Sequence, residues 1–340
     1  SFPFKRYQIQ PVWRADRPQA GRYQEFYQCD ADVVGSDSLV FEVDFIQLFD
    51  EVLSKLNIPQ VSIKINNRKI LTGIAEVSGE SDKIVAITVA IDKLDKIGLE
   101  GVLKELSDKG VSAAGIEKIK PLFEISGSTE ERLNQMKEYL ANSEIGLEGI
   151  KELEYLFDAT QKLGLRDTTV EFDVTLARGL NYYTGAIFEV KCGATSIGSI
   201  CGGGRYDDLT GIFGMKNMSG VGISFGADRI YYVLEELDLF PKSLDVSLDI
   251  LCLNFGDRES LASLKLVSAL RNLGLRADLY PTAAKFQKQL KYANKRGVPY
   301  VILLGEKELT EGTFVVKNME TGDQKAYTLE NATEFAAEIN

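Results

Sequence analysis

The residues best suited to chemistry in this sequence lie between Trp13 and Asp32. Three arginines, Arg14, Arg17 and Arg22, surround a Pro-Gly turn there, and alternating aromatic and polar residues follow. Arginine suits phosphate because its planar guanidinium matches the phosphate oxygens and keeps its charge. We therefore predict a phosphate-binding site at the tip of a β-hairpin.

Two strands have to position these arginines. Residues 4–13 and 25–35 have strand composition, and residues 17–23 form the turn between them. Side chains alternate between the faces of a strand, so the second strand should have one polar face and one apolar face that packs inward. A polar face that is merely solvated is the alternative interpretation. The polar face carries Phe26, Gln28, Asp30 and Asp32, and the apolar face carries Tyr27, Cys29, Ala31 and Val33.

The rest of the chain divides by its hydrophobic periodicity. Residues 36–58 predict a helix capped by Ser36 or Asp37, and residues 61–66 predict another strand. Short amphipathic helices then fill the stretch to residue 165, after which strand signals return. We predict a core segment over 1–78, a helical insertion over 79–165, a second core segment over 166–240, and a small α/β domain over 246–340, in which strands and helices alternate.

Three segments of the second core segment could bind a ligand. Residues 178–185, RGLNYYTG, place an arginine and two tyrosines at a loop, although a hairpin with aromatic packing is the alternative. The glycines at 202–204 would allow a ligand close to the backbone, but glycines also occur at bulges. Arg229 follows a glycine-rich strand, in the first turns of a helix. The absence of GxGxxG and GxxxxGK[ST] patterns excludes Rossmann and P-loop nucleotide sites.

Composition restricts the possible chemistry. The 340 residues include no histidine, which excludes Ser-His-Asp and Cys-His catalysis and histidine-ligated metals. The net charge of −11 argues against a general nucleic-acid coat. Four cysteines are scattered without a CxxC pair, which is typical of a cytosolic, reduced protein without a zinc site.

The chain has no apolar run of membrane-spanning length. It begins with Ser1 and runs directly into strand-like sequence. We interpret this as a chain whose N-terminal portion is absent, rather than as a signal peptide.

One basic segment stands out in this acidic protein. Residues 279–305 contain no acidic residue, and a helix predicted over 282–297 would carry four lysines within a 120° sector. Phe286, Leu290 and Ala293 should face the sheet on the other side. A solvated helix face is the alternative, but the single sign of charge favours a polyanion partner. The four lysines are Lys285, Lys288, Lys291 and Lys295.

The motifs together resemble a known family. RYQIQPVWRADRPQAGRYQEFYQCDAD is similar to motif 2 of the class II aminoacyl-tRNA synthetases, in the form found in histidyl-tRNA synthetases. LARGLNYYTGAIFE resembles the second signature of that family, GVGISFGADRI resembles motif 3, and the last domain resembles the family's anticodon-binding domain. The resemblance covers essentially the whole chain and implies a mixed α/β (α+β) fold, with an antiparallel-sheet catalytic core, a helical insertion and a small C-terminal α/β domain.

The resemblance implies a two-step reaction. The carboxylate of histidine would attack the α-phosphate of ATP, bound with Mg²⁺, and the histidyl group would then pass to tRNA(His). A homodimer in the cytoplasm is implied as well, with neither membrane nor DNA as a partner. By position, Arg14 and Arg178 would be the catalytic residues. ATP would contact Arg14, Asp16, Arg22, Tyr23, Phe26 and Arg229; histidine would contact Gln28, Asp32, Arg178, Tyr182, Tyr183 and Tyr206; and tRNA would contact the four lysines.

The sequence departs from the family pattern at several positions. Gln24 stands where many relatives have arginine, and Asn181 where many have aspartate; Asp16 and Asp32 replace glutamates. The family's motif 1 and its loop for the substrate amino group should lie upstream of residue 1. The resemblance therefore implies that part of the histidine pocket and of the dimer interface lies outside these residues, and it leaves the activity of this chain by itself open.

Two non-catalytic alternatives stay open at this point. One is a histidine-sensing paralogue, such as the regulatory subunit of ATP phosphoribosyltransferase. The other is a pseudo-synthetase that binds RNA without aminoacylating it. Retention of Arg14, Arg178 and Arg229 argues against the first.

Overall fold

The computed structural model describes residues 1–15, 17–19, 21–178, 182–241 and 248–339. They form two compact units, Ser1–Leu239 and Phe240–Asn340. Among these residues no helix combines the length and the apolar character that crossing a membrane requires.

The first unit is built on a sheet of seven strands. Its order is β1-β2-β7-β6-β5-β3-β4, and every neighbouring pair is antiparallel except β3 and β4. Both strands of the predicted hairpin are confirmed, with Phe4 paired to Val34 and Trp13 to Glu25. The strands are β1 Phe4–Trp13, β2 Glu25–Val34, β3 Val61–Asn67, β4 Thr169–Phe172, β5 Ala186–Cys192, β6 Ser199–Tyr206 and β7 Gly220–Gly226.

Helices fill the stretch between β3 and β4. Its treatment as a separate inserted domain stays a prediction. The helices of the first unit are α1 Val40–Lys55, α2 Arg68–Ser78, α3 Ile84–Ile91, α4 Leu94–Asp108, α5 Ala113–Ile119, α6 Thr129–Tyr139, α7 Glu144–Leu163, α8 Leu209–Ile212 and α9 Ala227–Glu236, with 3-10 turns at Ser81–Lys83 and Lys120–Glu124.

Helix α1 starts later than its sequence suggested. Its N-cap is Leu39, without a side-chain cap, so the predicted cap at Ser36 or Asp37 is wrong. The guanidinium of Arg205 donates to the backbone carbonyls of Ser36 and Ser38 and holds that segment outside the helix.

One face of the sheet is covered by α1. Phe49 of α1 packs edge-on against Phe188 and Phe225, with ring centroids 6.4 and 5.3 Å away. On the same face of β2, Val33 is buried as predicted, but Tyr27 is 53% exposed, which corrects the prediction of a uniformly inward apolar face. The reason is that α1 packs on the inner strands, whereas Tyr27 lies towards the far end of the edge hairpin.

The second unit alternates strands and helices as predicted. Its sheet has the order β12-β11-β10-β8-β9, with β8 parallel to both β9 and β10. Two helices, α12 and α13, were not predicted. The elements are β8 Ile250–Cys252, α10 Asp257–Asn272, β9 Ala277–Leu279, α11 Phe286–Lys295, β10 Tyr300–Leu303, α12 Glu306–Glu311, β11 Thr313–Asn318, β12 Gln324–Thr328, a 3-10 turn Leu329–Asn331, and α13 Ala332–Ile339.

Candidate active site

A cavity of about 350 Å³ opens on the face of the first sheet that is opposite α1. Strands β2, β6 and β7 contribute its floor, and the turn after β1 and the start of α9 contribute to its walls. The cavity brings together most residues that the sequence singled out. It is lined by Arg14, Gly21, Arg22, Tyr23, Phe26, Gln28, Arg178, Tyr182, Tyr183, Ser199, Ile200, Cys201, Gly202, Gly203, Ser224, Gly226, Asp228 and Arg229.

Arg14 is held by two neighbours on β2. Its guanidinium lies 5.0 Å from the ring centroid of Phe26. Its Nη2 donates to Oε1 of Gln28 at 2.9 Å. Gln28 in turn donates to Asp30 at 3.0 Å and to Ser224 at 2.7 Å, so its amide links β2 to β7. Arg14 is thereby oriented along the floor of the cavity although it is exposed.

Arg229 connects α9 to the turn of the hairpin. Its Nε donates to the backbone carbonyl of Gly21 at 2.8 Å, and its Nη1 donates to that of Ser199. Burial lowers the pKa of Arg229, and the positive charges of Arg178, Arg22 and Arg14 lower it further. Four guanidiniums therefore converge on one cavity, and a polyanion is the ligand that offsets their repulsion.

Arg178 contacts Ser199, the same residue that Arg229 contacts. Its Nη1 donates to the hydroxyl of Ser199 at 2.8 Å and to the carbonyl of Cys201 at 3.3 Å. The carboxylate of Glu189 is 3.8 Å away. These contacts fix the guanidinium above the glycines of β6.

Tyr182 and Tyr183 line one end of the cavity, and Asp32 lies next to them. The rings of Tyr182 and Tyr183 are 4.2 Å apart, and burial raises the pKa of Tyr183. Asp32 and Tyr206 do not line the cavity itself, but the Tyr206 hydroxyl donates to Oδ1 of Asp32 at 2.8 Å. Burial raises the pKa of Asp32, although Tyr206 partly offsets this.

Glycines make room for these side chains. A Cβ on Gly202 would lie 2.2 Å from Nη1 of Arg178, and one on Gly222 would lie 2.1 Å from Oδ1 of Asp32. Similarly, a Cβ on Gly204 would lie 2.8 Å from the ring of Tyr183. The glycines therefore allow side chains of the site to lie close to the sheet. They do not mark bulges, because β6 and β7 pair in regular register at these residues.

A buried ion pair on the other face supports this end of the site. Arg205 lies on β6 next to Tyr206 but points to the opposite face, where it binds Glu42 of α1 through two nitrogens. Both side chains are almost fully buried. Glu42 was not among the predicted site residues, although a glutamate among the apolar positions of a predicted helix is a signal of a buried partner.

Several predicted residues fall outside this arrangement. Asp16 and Asn181 lie outside the described residues. Arg17 does not line the cavity, and Gln24 contacts Arg14 through its backbone carbonyl at 2.9 Å. Ser199, Ser224 and Asp228 also line the cavity but were not singled out. Ser224 and Asp228 lie within the GVGISFGADRI motif, which was the available signal for them, whereas Ser199 lies in none of the motifs.

The four lysines of the basic segment, here called the lysine stripe, belong to the second unit. Helix α11 begins at Phe286, so Lys285 is the N-cap rather than a helical residue. Ala293 is buried and Leu290 is packed against the same core cluster, as predicted. Phe286 is exposed, which corrects its predicted packing, and Gln289 is buried although it was not predicted to be. Gln289 faces inward because it bonds the backbone of Asn254 in both directions. All four lysines are exposed: Lys285, Lys288, Lys291 and Lys295.

Comparison with known proteins identifies the family. The family model described as "Histidyl-tRNA synthetase" matches residues 4–230, and the one described as "Anticodon binding domain" matches residues 249–339. The histidine–tRNA ligase of Phocaeicola vulgatus is 59% identical over 328 residues, which cover 96% of this chain and 72% of that protein. The histidine–tRNA ligase of Bacteroides fragilis is 58% identical over 330 residues, covering 97% of this chain and 72% of that protein.

A solved structure supports the same conclusion. The histidyl-tRNA synthetase from Nostoc superposes with a TM-score of 0.86 at 31% identity, covering 99% of this chain and 79% of that chain. Its fold, together with the sequence matches and the arginine-lined cavity, leads to one assignment. The chain belongs to the histidyl-tRNA synthetase family of class II aminoacyl-tRNA synthetases.

Proposed function

We propose that this chain carries the histidine-activating site and the anticodon-binding unit of a histidine–tRNA ligase. The observation that carries the proposal is the convergence of Arg14, Arg22, Arg178 and Arg229 on one cavity beside two tyrosines. Within the chain, 1–78 and 166–240 would form the catalytic core, 79–165 the helical insertion, and 246–340 the anticodon-binding domain.

The first step needs no base from the protein. An α-carboxylate has a pKa of about 3.5, so the histidine carboxylate is ionised at neutral pH. It attacks the α-phosphorus of ATP, pyrophosphate leaves, and histidyl-adenylate forms. The protein has to align the two substrates and neutralise charge on the phosphoryl oxygens, which suits a chain without histidine.

The hairpin and α9 would bind ATP. Arg14 would contact the α-phosphate, and Arg22 and Arg229 the outer phosphates. Phe26 and Tyr23 would flank the adenine, since both line the cavity beside Arg14. Asp16 completes the proposed ATP-binding set on sequence grounds alone.

Magnesium would be bound mainly through the phosphates of ATP. Among the described residues no cluster of three acidic or cysteine side chains could hold a metal ion. A cavity with few carboxylates fits Mg²⁺, which commonly binds through one or two carboxylates together with substrate phosphates. When bound, Mg²⁺ would neutralise part of the phosphate charge. Among the described residues that line the cavity, Asp228 is the one carboxylate.

The histidine would lie between the tyrosines and Asp32. Arg178 would bridge its carboxylate and the α-phosphate, while Asp32, Tyr183 and Tyr206 would serve the imidazole ring. A site that pairs with ring nitrogens leaves buried groups unpaired when an apolar analogue binds, so selectivity of about 10⁴–10⁵ needs no editing. Gln28 and Tyr182 complete the proposed histidine-binding set.

The lysine stripe would contact tRNA. Lys285, Lys288, Lys291 and Lys295 are exposed, and no carboxylate of the described residues forms an ion pair with them. We also propose a cytosolic location, which four free cysteines support, and a homodimer.

The proposal is tested by histidine-dependent ATP–pyrophosphate exchange on the full-length protein. Exchange should require histidine, and Arg178→Lys should lower kcat/KM about 100-fold because a directed, bidentate contact is lost at the developing charge. Arg17→Lys is the matched control, since Arg17 does not line the cavity. An absence of exchange at saturating ATP and Mg²⁺ would overturn the proposal. No finding favours a histidine sensor or an RNA-binding pseudo-synthetase.

A further inference from the structure

Asp32 has a second charged neighbour that none of the motifs includes. Arg6 of β1 lies directly opposite Asp32 of β2 in the strand register, so both side chains project from the cavity face. The Nη1 of Arg6 is 3.7 Å from Oδ2 of Asp32. The other oxygen, Oδ1, accepts from Tyr206. The carboxylate is thus contacted by a cation on one oxygen and a phenol on the other.

The partial burial of Asp32 strengthens its electrostatic interaction with Arg6. Its side chain is only 20% exposed, so the interaction with Arg6 is less screened than at an open surface. The charged and titratable groups that face it are Arg6 from β1, Asp30 from β2, Tyr206 from β6, and Tyr183 at the cavity end. Arg6 is the cation of this set, and its position is secured by a hydrogen bond from Nη2 to Gln8.

Asp32 lies beside the end of the cavity that carries the tyrosines, and the proposed function assigns it to the imidazole ring. Its Oδ1 sits over Gly222, which pairs with Gly204 of β6, and Gly204 lies under the ring of Tyr183. An imidazole ring that binds between these two side chains would have Asp32 on one side and Tyr183 on the other. An uncompensated carboxylate there would favour the protonated ring, whereas a compensated one would accept a neutral N–H.

We propose that Arg6 is a specificity-determining residue of the histidine pocket: its guanidinium balances the Asp32 carboxylate, so that the pocket takes the neutral imidazole ring and disfavours imidazolium. The inference rests on the proposed function, because it assigns an ionisation state to the ligand of that site. A purely structural role for the Arg6–Asp32 pair would change stability without changing which ring form binds.

The test is the pH dependence of histidine binding by calorimetry, on the full-length protein without ATP. With an imidazole pKa of about 6.5, the neutral fraction falls about tenfold between pH 7.5 and 5.5. The wild-type dissociation constant should therefore rise about tenfold over this range. Arg6→Gln should reduce that ratio to about threefold or less, and Arg6→Lys should restore it. Lys5→Gln, which removes the same charge from the opposite face of β1, should keep the wild-type ratio.

A histidine analogue whose ring does not titrate in this pH range provides a control on the wild-type protein. The affinity of 1,2,4-triazole-3-alanine for the wild-type protein should stay constant from pH 5.5 to 7.5, because its ring stays neutral. The inference is wrong if the affinity for triazolylalanine falls in parallel with that for histidine as the pH is lowered. It is also wrong if the Arg6→Gln variant keeps the tenfold ratio of dissociation constants for histidine. If the wild-type protein binds neither compound at either pH, the proposed function fails instead.

Discussion

At the scale of single residues, the site depends on close approach to glycines. Three side chains each lie over a glycine of β6 or β7, in the space that the methyl group of an alanine would need: Arg178, Tyr183 and Asp32. The glycines at 202–204 were ambiguous in the sequence, since a bulge and a ligand-facing strand use the same residue. The structure shows that side chains of the site occupy the space.

Gly222→Ala should weaken the binding of histidine more than the binding of ATP. The added Cβ would lie 2.1 Å from Oδ1 of Asp32, so the carboxylate must move away from Tyr206. Because a hydrogen bond to a charged group contributes about 1.5–3 kcal/mol, we expect the KM for histidine to rise at least about tenfold. Steady-state exchange with each substrate varied in turn measures this. Gly211→Ala is the control, since its nearest neighbour is 4.0 Å away. An equal rise in the KM for ATP would contradict the explanation.

At the scale of elements, buried polar contacts fix how helices meet the sheet. The Arg205–Glu42 pair joins β6 to α1 and leaves the preceding segment non-helical. A second contact uses Asp50 of α1, whose carboxylate accepts from the backbone N–H groups of residues 166–168 and from the Thr168 hydroxyl. That segment leads from α7 into β4, so Asp50 orients the return of the chain to the sheet.

Asp50→Ala should destabilise the first unit by about 2–3 kcal/mol at pH 7, because the buried N–H and hydroxyl of Thr168 and two part-buried N–H groups lose their acceptor. Burial would raise the pKa of Asp50, but the hydrogen bonds from Arg166, Thr168 and Asp167 lower it overall. A lowered folded-state pKa stabilises the protein above the unfolded value of about 3.9, and this stabilisation is lost as the pH falls through the folded-state value. Urea unfolding at pH 7 and below pH 4 should therefore show a difference between variant and wild type that shrinks in acid. A constant difference would exclude the ionised carboxylate as its cause.

At the scale of the whole molecule, charge is distributed unevenly. The chain has a net charge of −11, yet α11 and its N-cap present four exposed lysines. Electrostatic repulsion would keep a polyanion away from most of an acidic surface, so a local basic face has to provide the attraction. The buried Gln289 keeps this helix in place on its sheet.

Lys288→Glu with Lys291→Glu should weaken tRNA binding on the order of tenfold or more and flatten its salt dependence, because two phosphate contacts are lost. Histidine-dependent exchange should be unchanged. Lys265→Glu with Lys307→Glu makes the same charge change on exposed residues of α10 and α12 and serves as the control. Equal losses in the two double variants, measured by filter binding at several salt concentrations, would indicate a general charge effect rather than a binding face.

The sequence by itself determined the hairpin, the order of strands and helices, and the motifs that lead to the family, because alternation and periodicity are local properties. Only the tertiary structure decided that Arg205 pairs with Glu42 and Tyr206 with Asp32, that Arg6 stands opposite Asp32, and that α1 begins after Ser38. These features depend on strand register and on partners more than 20 residues away along the chain. Such pairings are set by packing and burial across the fold, which no window of the sequence contains.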